Sequence, residues 1–313
     1  MKHTLAIDKV KNFFYKLYLS YIPNKYDKFK QKIIKILFLI SLITFIASAS
    51  YITGYIISCK RQDRIIDDSR KIWHETSSAE TGQSRKYAKE LLLKENGDFK
   101  GWITIPGTKI DNPFYQTVDN EFYLTHNQKK QKSAYGALFL DCKNVITETE
   151  KDSNLVIYGH HMKNGSMFSG LTKYKTLNFY KTNPTIEFST LYSDDTYKIY
   201  AAFVLNASKD DDNGYFYDIF KKSFLDDSDF DLWKNEALQR SLINTGVDVR
   251  LGDDIITLVT CTYDFDNARF VVMARKTRDG EDTAVDTSSA VANPKPRYPK
   301  RWYDDRGLEY PFN

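Results

Sequence analysis

Thr257-Leu258-Val259-Thr260-Cys261, with Arg269 eight residues on, decides how the rest of this chain is read. Ile255 to Thr260 is an apolar, β-branched run, the pattern of a buried strand, and it ends in a cysteine. Thr262 to Ala268 is a polar connection, and Phe270 to Ala274 is a second apolar strand. Strands this close in sequence pair antiparallel, because a parallel pair needs a crossover of about a dozen residues or more. Cys261 then ends one strand and Arg269 begins its neighbour, which brings a thiol and a guanidinium together at one rim of a sheet. Taken alone, the same pattern fits a core cysteine beside a surface arginine.

The stretch upstream separates the two readings. Asn154-Leu155-Val156-Ile157-Tyr158-Gly159-His160-His161-Met162 is another apolar strand, and it ends in a histidine pair. A strand-end histidine, a strand-end cysteine and an arginine are the parts of a thiol acyl-transfer site. Further motifs follow the same order along the chain: Gly101-Trp102-Ile103-Thr104-Ile105-Pro106-Gly107-Thr108, Tyr135-Gly136-Ala137-Leu138-Phe139-Leu140-Asp141, and Met167-Phe168. Together they resemble the sortases, class B in particular, from about Gly101 to Lys276.

The resemblance implies a membrane-anchored cysteine transpeptidase. Its substrate would be a surface protein bearing an Asn-Pro-x-Thr-Gly/Asn sorting motif, and its acceptor an amine on a peptidoglycan precursor. Cys261 would attack the threonine carbonyl and form a thioacyl enzyme. Only the thiolate is competent, and an ordinary free cysteine has a pKa near ~8.5. His160 would protonate the leaving amine and later take a proton from the incoming one. His160 is chosen over His161 because the family histidine directly follows the glycine. Arg269, protonated at any working pH, would hold the oxyanion or the peptide backbone beside it, and a backbone N–H near Cys261 would be the second donor. Asn120 and Leu124 resemble residues lining the class B peptide groove, with plain loop packing as the competing reading. Tyr215 and Tyr217 are further candidates for substrate contact. The family's aspartate two residues after the cysteine is Tyr263 here, with Asp264 next, so no carboxylate is assigned to orient His160. The resemblance implies no metal and no cofactor.

Periodicity gives the architecture independently. Trp102 to Ile105 and Ile110 to Gln116 flank a Pro-Gly turn signal. Tyr135–Asp141, Asn154–Tyr158, Thr185–Phe188, Tyr197–Leu205, Ile255–Thr260 and Arg269–Lys276 then make about eight short β segments. This predicts a mainly β fold, a mostly antiparallel closed eight-stranded barrel, which is also the sortase fold. Phe230 to Leu242 carries apolar residues at helical spacing, and the acidic cluster around Asp226 reads as its cap rather than as a calcium site.

The formal net charge is +4, yet residues 1–35 hold nine lysines against Asp8 and Asp27, and the remainder is slightly acidic. The basic excess belongs to the arm and gives no argument for nucleic acid as a partner. Ile36 to Cys59 is uncharged. As a helix it spans ~36 Å, enough to cross a bilayer. The lysines before it predict a cytoplasmic N-terminus and an extracellular bulk, with contact between the arm and anionic lipid as one reading and a solvated tail as the other. A cleaved signal peptide at Ala47-Ser48-Ala49 is the competing reading of the apolar run. The expected boundaries are a basic arm over 1–35, a single-pass transmembrane helix over 36–59, a stalk over 60–84, a catalytic domain over 85–278 and a proline-containing, extended tail over 279–313. In that tail Asn293-Pro294-Lys295-Pro296 partly resembles the start of a sorting signal. Cys59, Cys142 and Cys261 form no metal spacing, and a Cys142–Cys261 disulfide would disable the site. A pilin polymerase using a lysine amine, a cysteine protease using water, and a membrane-anchored binding protein with a dead site are the alternatives.

Overall fold

The computed structural model describes residues 2–75, 85–208 and 217–312. The chain divides into two compact units, Met1–Arg61 and Gln62–Asn313. In the first, helix α1 (Lys2–Tyr21) turns back on the start of α2 (Phe29–Glu75). Tyr21 meets Phe38 at 5.2 Å between ring centroids, and Lys35 bonds both Asp27 and the carbonyl of Leu19. The uncharged run 36–59 is helical throughout, and most of its large side chains are exposed; Ile43 and Phe45 are 66% and 70% accessible. Its length and apolar surface make it a candidate membrane anchor.

The second unit contains, in order, α3 (Arg85–Glu95), β1 (Phe99–Thr104), β2 (Asp111–Tyr115), α4 (Phe122–Thr125), β3 (Leu138–Leu140) and β4 (Asn154–Tyr158). A 3-10 helix (Phe168–Lys175), α5 (Leu177–Thr182), β5 (Thr185–Thr190), β6 (Asp194–Asn206), α6 (Asp227–Arg240) and β7 (Ile243–Asn244) follow. The unit ends with β8 (Ile255–Cys261), β9 (Ala268–Lys276), β10 (Val291–Ala292) and α7 (Lys300–Asp304). Eight strands close a barrel in the order β1-β2-β3-β4-β8-β9-β6-β5. The expected segments all appear, and six of the eight pairings are antiparallel. The two parallel pairs are β2–β3 and β4–β8, each spanned by a long crossover. β4 and β8 are buried on both faces, which explains their continuous apolar runs. Gly101 sits at a bulge where a Cβ would meet the Ser189 carbonyl at 2.0 Å.

Two clusters flank the barrel. One side packs under α6, where Phe230, Trp233 and Ala237 bury against Tyr200, Phe203 and Met273. Asp226 caps this helix by accepting from the Asp229 N–H at 2.9 Å, so the acidic cluster takes the capping role expected of it. The other side is covered by α3 and by the end of α2. Where a stalk is expected, Gln62–Glu75 lies on the barrel: Ile65, Ile66 and Trp73 are buried, and Trp73 stacks on Trp102 at 4.9 Å. His74 and Arg70 both bond Asp111, which also accepts from the indole of Trp102. The apolar stripe of this segment is short in sequence, but a tryptophan and two isoleucines suffice when the facing surface is aromatic. The polar break 76–84 lies outside the described residues.

The tail is folded rather than simply extended. β10 pairs with β7, Pro299 is buried and α7 follows it. Asn293 donates its N–H to Leu242 and its side-chain amide to Ser241. Asn293-Pro294 therefore lies along the α6–β7 junction. At the start of the tail, Glu281 accepts two bonds from Arg275 and one from Lys198, whose side chains are 3% and 8% exposed. The bonds from Arg275, above all, hold the Glu281 carboxyl well below the usual carboxylate range. A depressed carboxyl stabilises the fold above its unfolded value near ~4.3, and that contribution is lost as pH falls toward its folded value. Glu281→Gln is expected to lower the thermal midpoint at pH 7, with the deficit closing as the pH drops below ~4. Because Glu281 is itself 28% exposed and screened by water, the deficit is on the order of 1 kcal/mol rather than the ~3–5 of a fully buried pair.

Candidate active site

β8 delivers Cys261 to the barrel rim, where it is exposed. β9 pairs with it so that Arg269 lies directly opposite Cys261. On the other side β4 runs parallel to β8, with Tyr158 opposite Val259. The Gly159 N–H donates to the Val259 carbonyl at 3.1 Å, and the Thr260 hydroxyl donates to the Gly159 carbonyl at 2.8 Å. One residue beyond that staple on each strand stand His160 and Cys261. Because parallel strands end on the same side, two residues far apart in sequence emerge at one rim.

The His160 ring is held by the backbone. Its Nε2 lies 2.7 Å from the Leu124 carbonyl, which can only accept, so Nε2 carries a proton. Gly136 permits this approach. It sits at φ +58°, and a Cβ there would meet the Tyr123 carbonyl at 2.3 Å and the His160 ring at 3.1 Å. The glycine of the Tyr135-Gly136-Ala137 motif thus bears directly on the histidine.

A groove of about 280 Å³ is lined by Asn120, Leu124, His160, Cys261 and Arg269, five of the residues named from the sequence. Phe139, Tyr158 and Val259 form its apolar part. All three cysteines are free thiols, so the Cys142–Cys261 disulfide is absent. Among the described residues, Arg269 donates to the adjacent Ala268 carbonyl, at 3.1 Å.

Two expectations change, the second backbone donor and Tyr217, while the carboxylate left unassigned beside His160 has its own partners. The Thr262 N–H, the nearest backbone donor after Cys261, already donates to the Ala268 carbonyl at 3.1 Å. Asp264 is turned away toward Lys175, at 2.5 Å, and the Thr262 hydroxyl, at 2.6 Å, so the partner of His160 is a carbonyl and not a carboxylate. Tyr217 is buried in the core beneath α6, because its ring packs on Phe203 and Trp233; Tyr215 lies outside the described residues. One contact had no sequence signal: His161, given no role, donates from Nδ1 to the Cys261 carbonyl at 2.8 Å and packs by Tyr263.

Comparison with known proteins matches this geometry to one family. A sortase domain model matches residues 103–277, more than half of the chain. The chain belongs to the sortase family, class B. It is 33% identical to sortase B of Listeria monocytogenes over 252 residues, 79% of this chain and 98% of that protein. A mutant form of Clostridium perfringens sortase B superposes with a TM-score of 0.61 at 34% identity, covering 69% of this sortase and 98% of that chain. A Staphylococcus aureus sortase B–substrate complex superposes at 0.63 with 26% identity, covering 72% of this sortase and all of that chain. As a class B sortase, the protein is a transpeptidase that cleaves sorting motifs.

Proposed function

We propose that this sortase cleaves an Asn-Pro-x-Thr-Gly/Asn-like motif after the threonine and transfers the acyl group to a cell-wall amine. The observation that carries the reading is the register: β4 parallel to β8 and β9 antiparallel to it set His160, Cys261 and Arg269 around one groove. Cys261 Sγ adds to the threonine carbonyl, and Arg269 donates N–H groups to the oxygen as it gains charge. The C–N bond to the following residue breaks, and His160 gives its proton to the departing amine. The thioester then keeps the acyl group activated until a second amine arrives. That amine attacks, His160 takes its proton, and the thiolate leaves. The Nε2 bond to Leu124 makes Nδ1 the atom that exchanges the proton. Asn120 and Leu124 contact the sorting peptide. The relative solved with a substrate supports a peptide in this groove. The helix over 36–59 anchors the enzyme in the cell membrane, with the lysine-rich arm in the cytoplasm and the barrel outside.

The test is intact-mass spectrometry of the full chain in detergent with a panel of sorting peptides. The expected product is a single acyl adduct on Cys261 that disappears on addition of a peptidoglycan-type amine. Transfer to a pilin lysine in preference would favour polymerisation, and release to water that amine cannot divert would favour a protease. An alkylatable Cys261 that no peptide acylates would refute the proposal.

A further inference from the structure

Behind the groove sits a carboxylate that the mechanism above leaves unused. Asp141 follows β3 and is 6% exposed. Its Oδ2 accepts from Asn120 Nδ2 and from the Tyr158 hydroxyl, both at 2.8 Å, and its Oδ1 accepts the Lys143 N–H at 2.8 Å. Its backbone is held as well, by Val156 and the side chain of Gln116. None of these partners is a cation, so the charge is satisfied by aimed N–H and O–H groups alone.

The consequence falls on Asn120. Its Oδ1 accepts the Cys142 N–H at 2.8 Å while its Nδ2 faces Asp141. A carboxylate only accepts and a backbone N–H only donates, so the amide has one permitted orientation. The second Nδ2 proton is left for the groove that Asn120 lines. Tyr158 is committed too. Burial first, and then the Asp141 charge, push its phenol far up, so it remains a donor at any working pH. Its ring meets Phe139 at 5.1 Å in the apolar part of the groove.

We propose that Asp141 is a positioning residue for substrate recognition: it fixes Asn120 so that an N–H meets a backbone carbonyl of the sorting peptide, and it holds the Tyr158 ring as the adjoining wall. The proposal rests on reading the groove as the sorting-peptide site. An asparagine at 141 cannot reproduce the arrangement. If its oxygen faces Asn120 and Tyr158, its NH₂ confronts the Lys143 N–H; if reversed, it confronts two donors.

Steady-state kinetics of the full chain with a fluorogenic sorting peptide test this. Asp141→Asn is expected to raise KM by up to about tenfold, the upper worth of one neutral hydrogen bond to the peptide, with kcat within about twofold. The rate at which methyl methanethiosulfonate modifies Cys261 should not change. In an Asn120→Ala background the same substitution should add little, since the two act as one unit. Tyr158→Phe, which removes one hydroxyl, should raise KM by a smaller factor and serves if Asp141→Asn does not fold. Unchanged KM in these variants, or a joint fall in kcat and thiol reactivity, overturns the role of Asp141 alone. No turnover by the wild-type chain overturns the transpeptidase reading and this proposal with it.

Discussion

Cys261→Ala is expected to abolish acyl transfer, with turnover of a sorting peptide falling by a factor on the order of 10⁴ or more, as loss of a nucleophile does elsewhere. The reason is that, among the described residues, Cys261 is the one thiol that lines the groove. Cys59 lies in the first compact unit and Cys142 is not among the groove-lining residues. The substitution should leave the fold intact. Cys261 is exposed at a strand end, and truncating an exposed side chain opens no cavity. The informative comparison is therefore between turnover and binding. A fluorescent sorting peptide should bind the alanine variant within about twofold of wild type, because the groove walls are unchanged. Retained transfer in this variant would remove the thiol from the mechanism. Retained cell-surface function with no transfer in either protein would favour a binding role.

Arg269→Ala should lower kcat/KM by about 10²–10³, the usual effect of deleting an oxyanion donor. The size follows from the backbone around Cys261. The Thr262 N–H is spent on the Ala268 carbonyl, so it cannot share the load without opening the β8–β9 pair. Arg269, in contrast, lines the groove and, among the described residues, gives one N–H to Ala268, with further N–H groups on its guanidinium. Arg269→Lys should recover only part of the loss, since an ammonium keeps the charge but not the planar fork. Pre-steady-state acylation measured by quenched-flow mass spectrometry separates the cases. A slower acylation with unchanged alkylation of Cys261 supports an oxyanion role; equal acylation rates for all three proteins would reduce Arg269 to a surface cation.

Much of this was legible without coordinates because it depends on local chemistry. The apolar runs of β4 and β8 can hardly be anything but buried strands, and an uncharged run of 24 residues is a membrane-length helix wherever it occurs. Other features were not legible because they depend on what lies across a gap. The stripe at Ile65, Ile66 and Trp73 looks too sparse to pack until Trp102 is set against it. The tail reads as extended because its prolines and polar residues give no period, and it folds because β7 and α6 offer free backbone carbonyls and an unpaired edge. Tyr217 reads as a loop residue because burial of a single aromatic has no sequence signature.

What the amino-acid order determined by itself was the set of strands and helices and the chemical kind of each side chain at their ends. Alternation and run length report which face is apolar, and the residue at a strand end is simply read. What only the tertiary structure decided was which strand ends are neighbours and which atoms they present. Barrel closure makes β4 and β8 parallel partners across a long crossover, and only then do His160 and Cys261 share a rim. Hydrogen-bond direction, likewise, belongs to partners far apart in sequence: Leu124 selects the proton on His160, Ala268 consumes that of Thr262, and Asp141 turns Asn120. Periodicity cannot carry such information, because it describes each segment against an unspecified neighbour, whereas a donor is committed only when its acceptor has a place.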